Sequence, residues 1–206
     1  MNYFKSPQNL RRRSLLAPSL LGLWALSVCV LLTLLMAGHL APFAAAPALA
    51  STALYTHKLT GQPKGWQMLH VLAENCLCSE SVTKALLERG RDASLAAEGV
   101  VLVGNDQNQK SRFEKAGFSF TTLAPDAVYA ETGVEAAPTL IVIDDHGVIR
   151  YTGGYFQRRE RTESLDLKIL ATVRAGGTSP ALPSYGCAFS RRLQIAVDPL
   201  GLKYNP

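Results

Sequence analysis

From Leu20 to Ala37 the chain runs 18 residues without a charge, rich in leucine, valine and alanine. Such a stretch matches most of a hydrocarbon core about 30 Å thick. Inside lipid it is confined to one conformation, because a helix satisfies its own backbone hydrogen bonds where no water can. Lys5 and Arg11 to Arg13 precede the run, and residues 1 to 50 contain no acid. Positive flanks stay on the cytoplasmic side, so everything after the run is expected on the opposite face. The competing reading is a cleaved signal, for which Ala48-Leu49-Ala50 before Ser51 supplies a small-x-small site. The run is longer than a usual signal core and ends well before that site, which favours a retained anchor. Cys29 falls inside it and reads as a packing thiol.

The formal net charge of +5 is a property of this leader. From residue 51 onward 17 basic residues face 16 acidic ones, so the rest of the chain lacks the basic footprint of a nucleic-acid binder. No nucleotide, flavin or haem motif is present, and no cofactor is expected.

The chemistry of the remainder concentrates at Cys76-Leu77-Cys78-Ser79. Trp66 to Leu72 reads as a buried strand, and Val82, Ala85 and Leu86 ahead of Arg89-Gly90 read as a helix with a glycine cap. The two thiols therefore sit at a strand-to-helix turn. Free amides and the helix dipole favour a thiolate at that position.

Beyond it follow a strand at Val100 to Gly104, a polar helix from about Asn108 to Ala116, a minor strand at Phe118 to Thr121 and a short helix from Asp126 to Thr132. Thr139 to Ile143 and Val148 to Thr152 flank Asp144-Asp145-His146-Gly147, a hairpin signal. A last amphipathic helix is expected from about Glu160 to Arg174. The order is strand, helix, strand, helix, strand, strand, helix, which implies parallel pairing first and a mixed sheet at the end.

With Ala73-Glu74-Asn75-Cys76-Leu77-Cys78 after an apolar strand, and Ala136-Ala137-Pro138-Thr139 leading into another about 60 residues later, the chain resembles the thioredoxin-like superfamily. The resemblance covers roughly residues 60 to 175 and departs from the family at one point, since Cys-x-Cys replaces Cys-x-x-Cys. It implies an α/β, thioredoxin-like fold, a central mixed sheet flanked by helices after one N-terminal transmembrane helix. The expected divisions are a cytoplasmic basic segment at 1–14, an anchor at 15–38, a spacer at 39–61, the thioredoxin-like domain at 62–175 and a C-terminal tail at 176–206 carrying Cys187.

By resemblance Cys76 attacks, Cys78 resolves, Pro138 is a cis-proline beside them, and Thr139 offers its backbone to a bound peptide as an edge strand. A ring closed through one residue is tighter than one closed through two, and strain eases reduction. The implied function is a thiol-disulfide oxidoreductase held in the inner membrane by a single pass, with its domain in the periplasm and protein thiols or disulfides as partners. Two other classes fit the same cysteines: a Cu(I)-binding thiol metallochaperone, since soft ligands select that ion, and a non-catalytic thioredoxin-fold binding module. His70 reads as a satisfied core residue and His146 as a solvated turn residue. Cys187 makes the thiols beyond the anchor odd in number and has two readings, an additional redox thiol that folds back over the sheet or a packing residue.

Overall fold

The computed structural model describes residues 8–40, 43, 64–157, 164–198, 201 and 203–204. They fall into two compact units divided after Ala41.

The first unit is one helix, α1 (Gln8–Leu40). Its segment Ala17–Leu34 has a mean hydropathy of 2.0 with none of it buried, long and apolar enough to cross a membrane, a test that a signal sequence also passes. The few hydroxyls within it turn back on the helix. Ser27 Oγ donates to the Trp24 carbonyl at 2.7 Å and Thr33 Oγ1 to the Cys29 carbonyl at 2.8 Å, so these two hydroxyls are satisfied within the helix.

The second unit is built on five strands: β1 (Gln67–Ala73), β2 (Ala97–Val103), β3 (Ser119–Leu123), β5 (Thr139–Ile143) and β6 (Ile149–Gly153). Their order is β3-β2-β1-β5-β6, with β1, β2 and β3 parallel and β5 and β6 each antiparallel to its inner neighbour. Helices α2 (Leu77–Arg89), α3 (Gln107–Lys115), α4 (Pro125–Thr132) and α5 (Asp166–Arg174) connect or cover them. All seven residues of β1 are buried, because side chains alternate between two covered faces. Met68 and Leu72 join Val82 and Leu86 of α2, Phe113 of α3 and Ile169 of α5 on one side. Leu69, Val71 and Ala73 join Val128 of α4 and Cys76 on the other.

His70 points into the first of these layers and is fully buried and satisfied. Its Nε2 lies 3.0 Å from Glu98 Oε1 and its Nδ1 2.8 Å from the Tyr155 hydroxyl. Burial alone would raise the Glu98 carboxyl, but hydrogen bonds from His70 and Arg89 outweigh it and hold Glu98 down at about 2. Arg89 also binds Asp166 at 2.9 Å, so one ionic cluster ties the end of α2 to the start of α5 on the same face of the sheet. The expected turn at His146 is equally plain: Asp144 Oδ1 accepts from the amides of His146 and Val148 at 2.9 and 2.8 Å, and the His146 side chain is exposed.

Beyond α5, the described residues of the segment expected as a C-terminal tail pack on the domain. Leu182 accepts from the Gly154 amide at 2.8 Å, and a two-stranded sheet forms between β4 (Ala136–Ala137) and β7 (Cys187–Ala188), followed by α6 (Arg191–Val197). The cause lies in Gly153 and Gly154, where an added Cβ would come within 2.8 and 2.1 Å of the Leu182 and Pro183 carbonyl oxygens. Only glycine leaves room for that approach. Most of the expected spacer lies outside the described residues, but Phe43 within it is buried and exchanges two backbone hydrogen bonds with Ser184, at 2.9 and 3.0 Å. The Glu160 start expected for the last helix also lies outside them, and α5 is described from Asp166.

Candidate active site

β1 ends at Ala73, and the chain turns through Glu74 and Asn75 before α2 begins. Asn75 takes φ 57, a left-handed conformation that asparagine tolerates better than most side chains. Glu74 is committed to the turn: its amide bonds the Val103 carbonyl at 3.0 Å and its Oε2 accepts from the Asn105 amide at 2.9 Å. Ser79 fixes the other side, with its buried Oγ accepting from the Ala73 amide at 3.0 Å. These contacts place Cys76 at the N-cap of α2 and Cys78 in its first turn.

Cys76 is 1 % exposed, whereas Leu77 beside it is 78 % exposed and Cys78 is half-buried. The Cys76 thiol makes no capping hydrogen bond in the strict sense. It points toward the Ala137 carbonyl at 3.8 Å, and the bond that follows, Ala137–Pro138, is cis. Cys76, Ala137 and Phe189 share one apolar cluster, with Cys78 and Cys187 packed against it. All four cysteines of the chain are thiols.

The Cys76 pKa is lowered from the usual 9.0 to about 6. The hydrogen bond with the Cys187 thiol contributes most, burial opposes it, and the amides of Ser79 and Cys78 with the Ser79 hydroxyl add to the lowering. Cys187 moves the opposite way. Its proton is shared with Cys76, so its pKa is raised far above the usual range, with burial acting in the same direction. The two shifts run in opposite directions and each has the other thiol as its largest cause, so Cys76 and Cys187 titrate as a pair.

The structure thus brings Cys76, Cys78, Pro138 and Cys187 to one end of the sheet. Thr139 begins β5, where it pairs with Val71 of β1, and its Oγ1 donates to the Ala136 carbonyl at 2.7 Å while meeting Ser184 Oγ at 3.1 Å. The open edge next to Pro138 belongs to β4, and β7 occupies it. Sequence reasoning passed over Ser79 as a second support of Cys76, although a hydroxyl three residues after an N-cap is placed to reach back over the turn.

Among the described residues, the group of metal-ligating side chains lying mutually within 4.8 Å is Asp144, Asp145 and His146 in the hairpin, where two of the three are exposed. The thiols do not form such a group of three.

The strand order, the thiol at the start of α2 and the cis-proline against it make this a thioredoxin-like fold. No family model and no curated sequence matches the chain. Among solved structures it is similar to a hypothetical protein from Sinorhizobium meliloti 1021, at 16 % identity and a TM-score of 0.48 over 73 % of this chain and 93 % of that one. An uncharacterized conserved protein from Geobacillus kaustophilus has 18 % identity and the same TM-score of 0.48, over 73 % and 92 %. The thioredoxin domain of a thiol-disulfide oxidoreductase from Bacteroides vulgatus has 17 % identity and a TM-score of 0.35, over 54 % and 84 %.

Proposed function

We propose that this chain is a thiol-disulfide oxidoreductase anchored in the inner membrane by α1, with its domain in the periplasm and protein thiols or disulfides as partners. The observation that carries the reading is Cys76, a thiol at a helix start whose pKa is lowered to about 6 and which is ionised at neutral pH. A thiolate is the nucleophile of exchange. Cys76 Sγ attacks one sulfur of a partner disulfide, forming a mixed disulfide and releasing the other partner sulfur as a thiolate. A second thiol of the domain then attacks Cys76 Sγ and frees the rest of the partner. Cys78 and Cys187, both packed against the cluster that holds Cys76, are the candidates for that step.

The surroundings suit a protein partner. Leu77 presents an exposed apolar side chain between the two motif cysteines, and Pro138 lies at the edge a peptide would approach. No step requires a cofactor. Retention of α1 as an anchor, with the arginines left in the cytoplasm, is part of the same reading.

The test is exchange between the full chain in detergent and a disulfide-linked, self-quenched peptide. Native protein and excess dithiothreitol should release fluorescence catalytically, and Cys76→Ser should reduce the rate to that of dithiothreitol alone. An unchanged rate in Cys76→Ser would remove the reading. No catalysis together with tight one-to-one Cu(I) binding would replace it with the metallochaperone, and neither activity would leave a binding module.

A further inference from the structure

A mixed disulfide on Cys76 needs a second thiol, and the motif offers Cys78 two residues away. The fold offers another. β7 pairs antiparallel with β4, and in that register Cys187 stands opposite Ala137, whose carbonyl faces the Cys76 thiol. The strand is held on both sides. Before it, Ser184 is fixed by Phe43 and Thr139. After it, the Phe189 amide donates to the Glu135 carbonyl at 2.9 Å, Ser190 Oγ to the Glu135 carboxylate at 2.6 Å, and the Ala188 amide to the Tyr204 hydroxyl at 2.9 Å. Gly186 allows the approach. A Cβ there would stand 1.8 Å from the Ala137 oxygen and 2.7 Å from Pro138 Cδ, so the strand closes on Cys76 only because that residue has no side chain.

We propose that Cys187 is the resolving thiol of Cys76, delivered by the chain's own C-terminal strand to the edge beside Pro138 where a peptide would otherwise add. The proposal rests on the reading that Cys76 is the attacking thiol. Strand addition to an exposed edge is a general mode of peptide capture, and here the occupant is intramolecular. Once Cys76 Sγ is bound to a partner sulfur, Cys187 loses its proton to the solvent and its thiolate attacks Cys76 Sγ. The Cys76–Cys187 bond forms, the bond to the partner breaks, and the partner leaves as a thiolate that takes up a proton. Over the two steps the partner disulfide gains two electrons and Cys76 and Cys187 lose them.

The order of events follows from the electrostatics. In the reduced pair Cys187 is held protonated, first by its hydrogen bond to Cys76 and then by burial. Attack by Cys76 removes the negative charge that holds that proton, so Cys187 becomes easier to ionise at the stage when its thiolate is needed. Lys203, whose charge favours the Cys187 thiolate, acts in the same sense. Cys76 is 1 % exposed and shares its apolar cluster with Phe189, with Cys187 packed against it, so the resolving thiol stays beside the attacking one.

The test uses the full chain in detergent, reduced, mixed with glutathione disulfide, quenched in acid, alkylated and mapped by mass spectrometry. Native protein should yield a Cys76–Cys187 linked pair. Cys187→Ser should hold glutathione on Cys76 at least about 100-fold longer than the native protein, since a positioned intramolecular thiol is replaced by dilute external ones. Cys78→Ser should accumulate no such adduct. Gly186→Val keeps all three thiols and displaces the strand, and should prolong the adduct as Cys187→Ser does. A Cys76–Cys78 pair in the native protein, with a persistent adduct in Cys78→Ser and none in Cys187→Ser, would overturn the assignment while leaving Cys76 as the attacking thiol. Failure of glutathione to reach Cys76 in every variant would overturn both.

Discussion

Replacing Cys187 by alanine removes the largest influence holding the Cys76 pKa down, and the consequence can be worked out. With a folded value of about 6 against the usual 9.0, Cys76 is roughly nine-tenths thiolate at pH 7, where an ordinary thiol is about one-hundredth ionised. The gain in attacking species is about 90-fold, but nucleophilicity falls with pKa, at a Brønsted slope of about 0.4–0.5, which takes back about 20-fold. The net gain in attack is only about fivefold. The larger effect is on the reduced state. A depressed thiol pKa adds stability in full above the unfolded value, and that stability is lost as pH falls through about 6. At pH 7 the contribution is on the order of 1 kcal/mol, which corresponds to roughly 20 mV in a two-electron potential. The assay is ultraviolet thiolate absorbance against pH, which does not require a reagent to enter the buried site. The native domain should show a transition near 6 that disappears in Cys76→Ser and moves toward the ordinary thiol range in Cys187→Ala. A native Cys76 transition in the ordinary range, or one unmoved by Cys187→Ala, would refute the reasoning.

Other perturbations separate structural from chemical roles. Arg89→Leu leaves the buried Glu98 carboxylate without its cation and should cost about 3–5 kcal/mol in urea unfolding at neutral pH. Because the folded value of Glu98 is depressed from 4.5 to about 2, its contribution of roughly 3 kcal/mol is present above 4.5 and is lost as pH falls toward 2, a slope that should vanish in Glu98→Gln. Leu102→Ala, at a fully buried position of the first core layer, should cost about 2–5 kcal/mol. Leu77→Ala should change stability by less than about 0.5 kcal/mol while slowing exchange with a protein disulfide, because its side chain is exposed. In membrane fractions the full chain should resist alkaline extraction and be open to protease from the non-cytoplasmic side, whereas a soluble product beginning at Ser51 would show that α1 is a cleaved signal.

The strands and helices of the thioredoxin-like unit were legible because each carries a local signal. Continuous apolar runs marked β1 and β2, whose two faces are both covered, and glycines marked the ends of α2 and α4. The register that sets Cys187 opposite Ala137 had no such signal. β4 and β7 are two residues each, too short for any periodicity, and their contact depends on a glycine whose role shows only when Ala137 is beside it. The place of β5 in the sheet was hidden for a related reason, since composition marks a strand, but whether it lies inside a sheet or at its edge is decided by its neighbours, here β1 and β6. Phe43 likewise sits in an alanine- and proline-rich stretch whose composition gives no sign that one aromatic residue bridges Ser184 through its backbone and packs its side chain with Ala136 and Ala188.

The central claim is that Cys76 exchanges disulfides, and equilibration of the full chain in detergent with defined ratios of reduced and oxidised glutathione tests it most directly. Acid quenching and alkylation would count thiols at each ratio. One two-electron transition, absent in Cys76→Ser and unaltered by chelating trace copper, is the result the account predicts. A chain whose thiols stay reduced at every ratio, or a transition that survives Cys76→Ser, would contradict it.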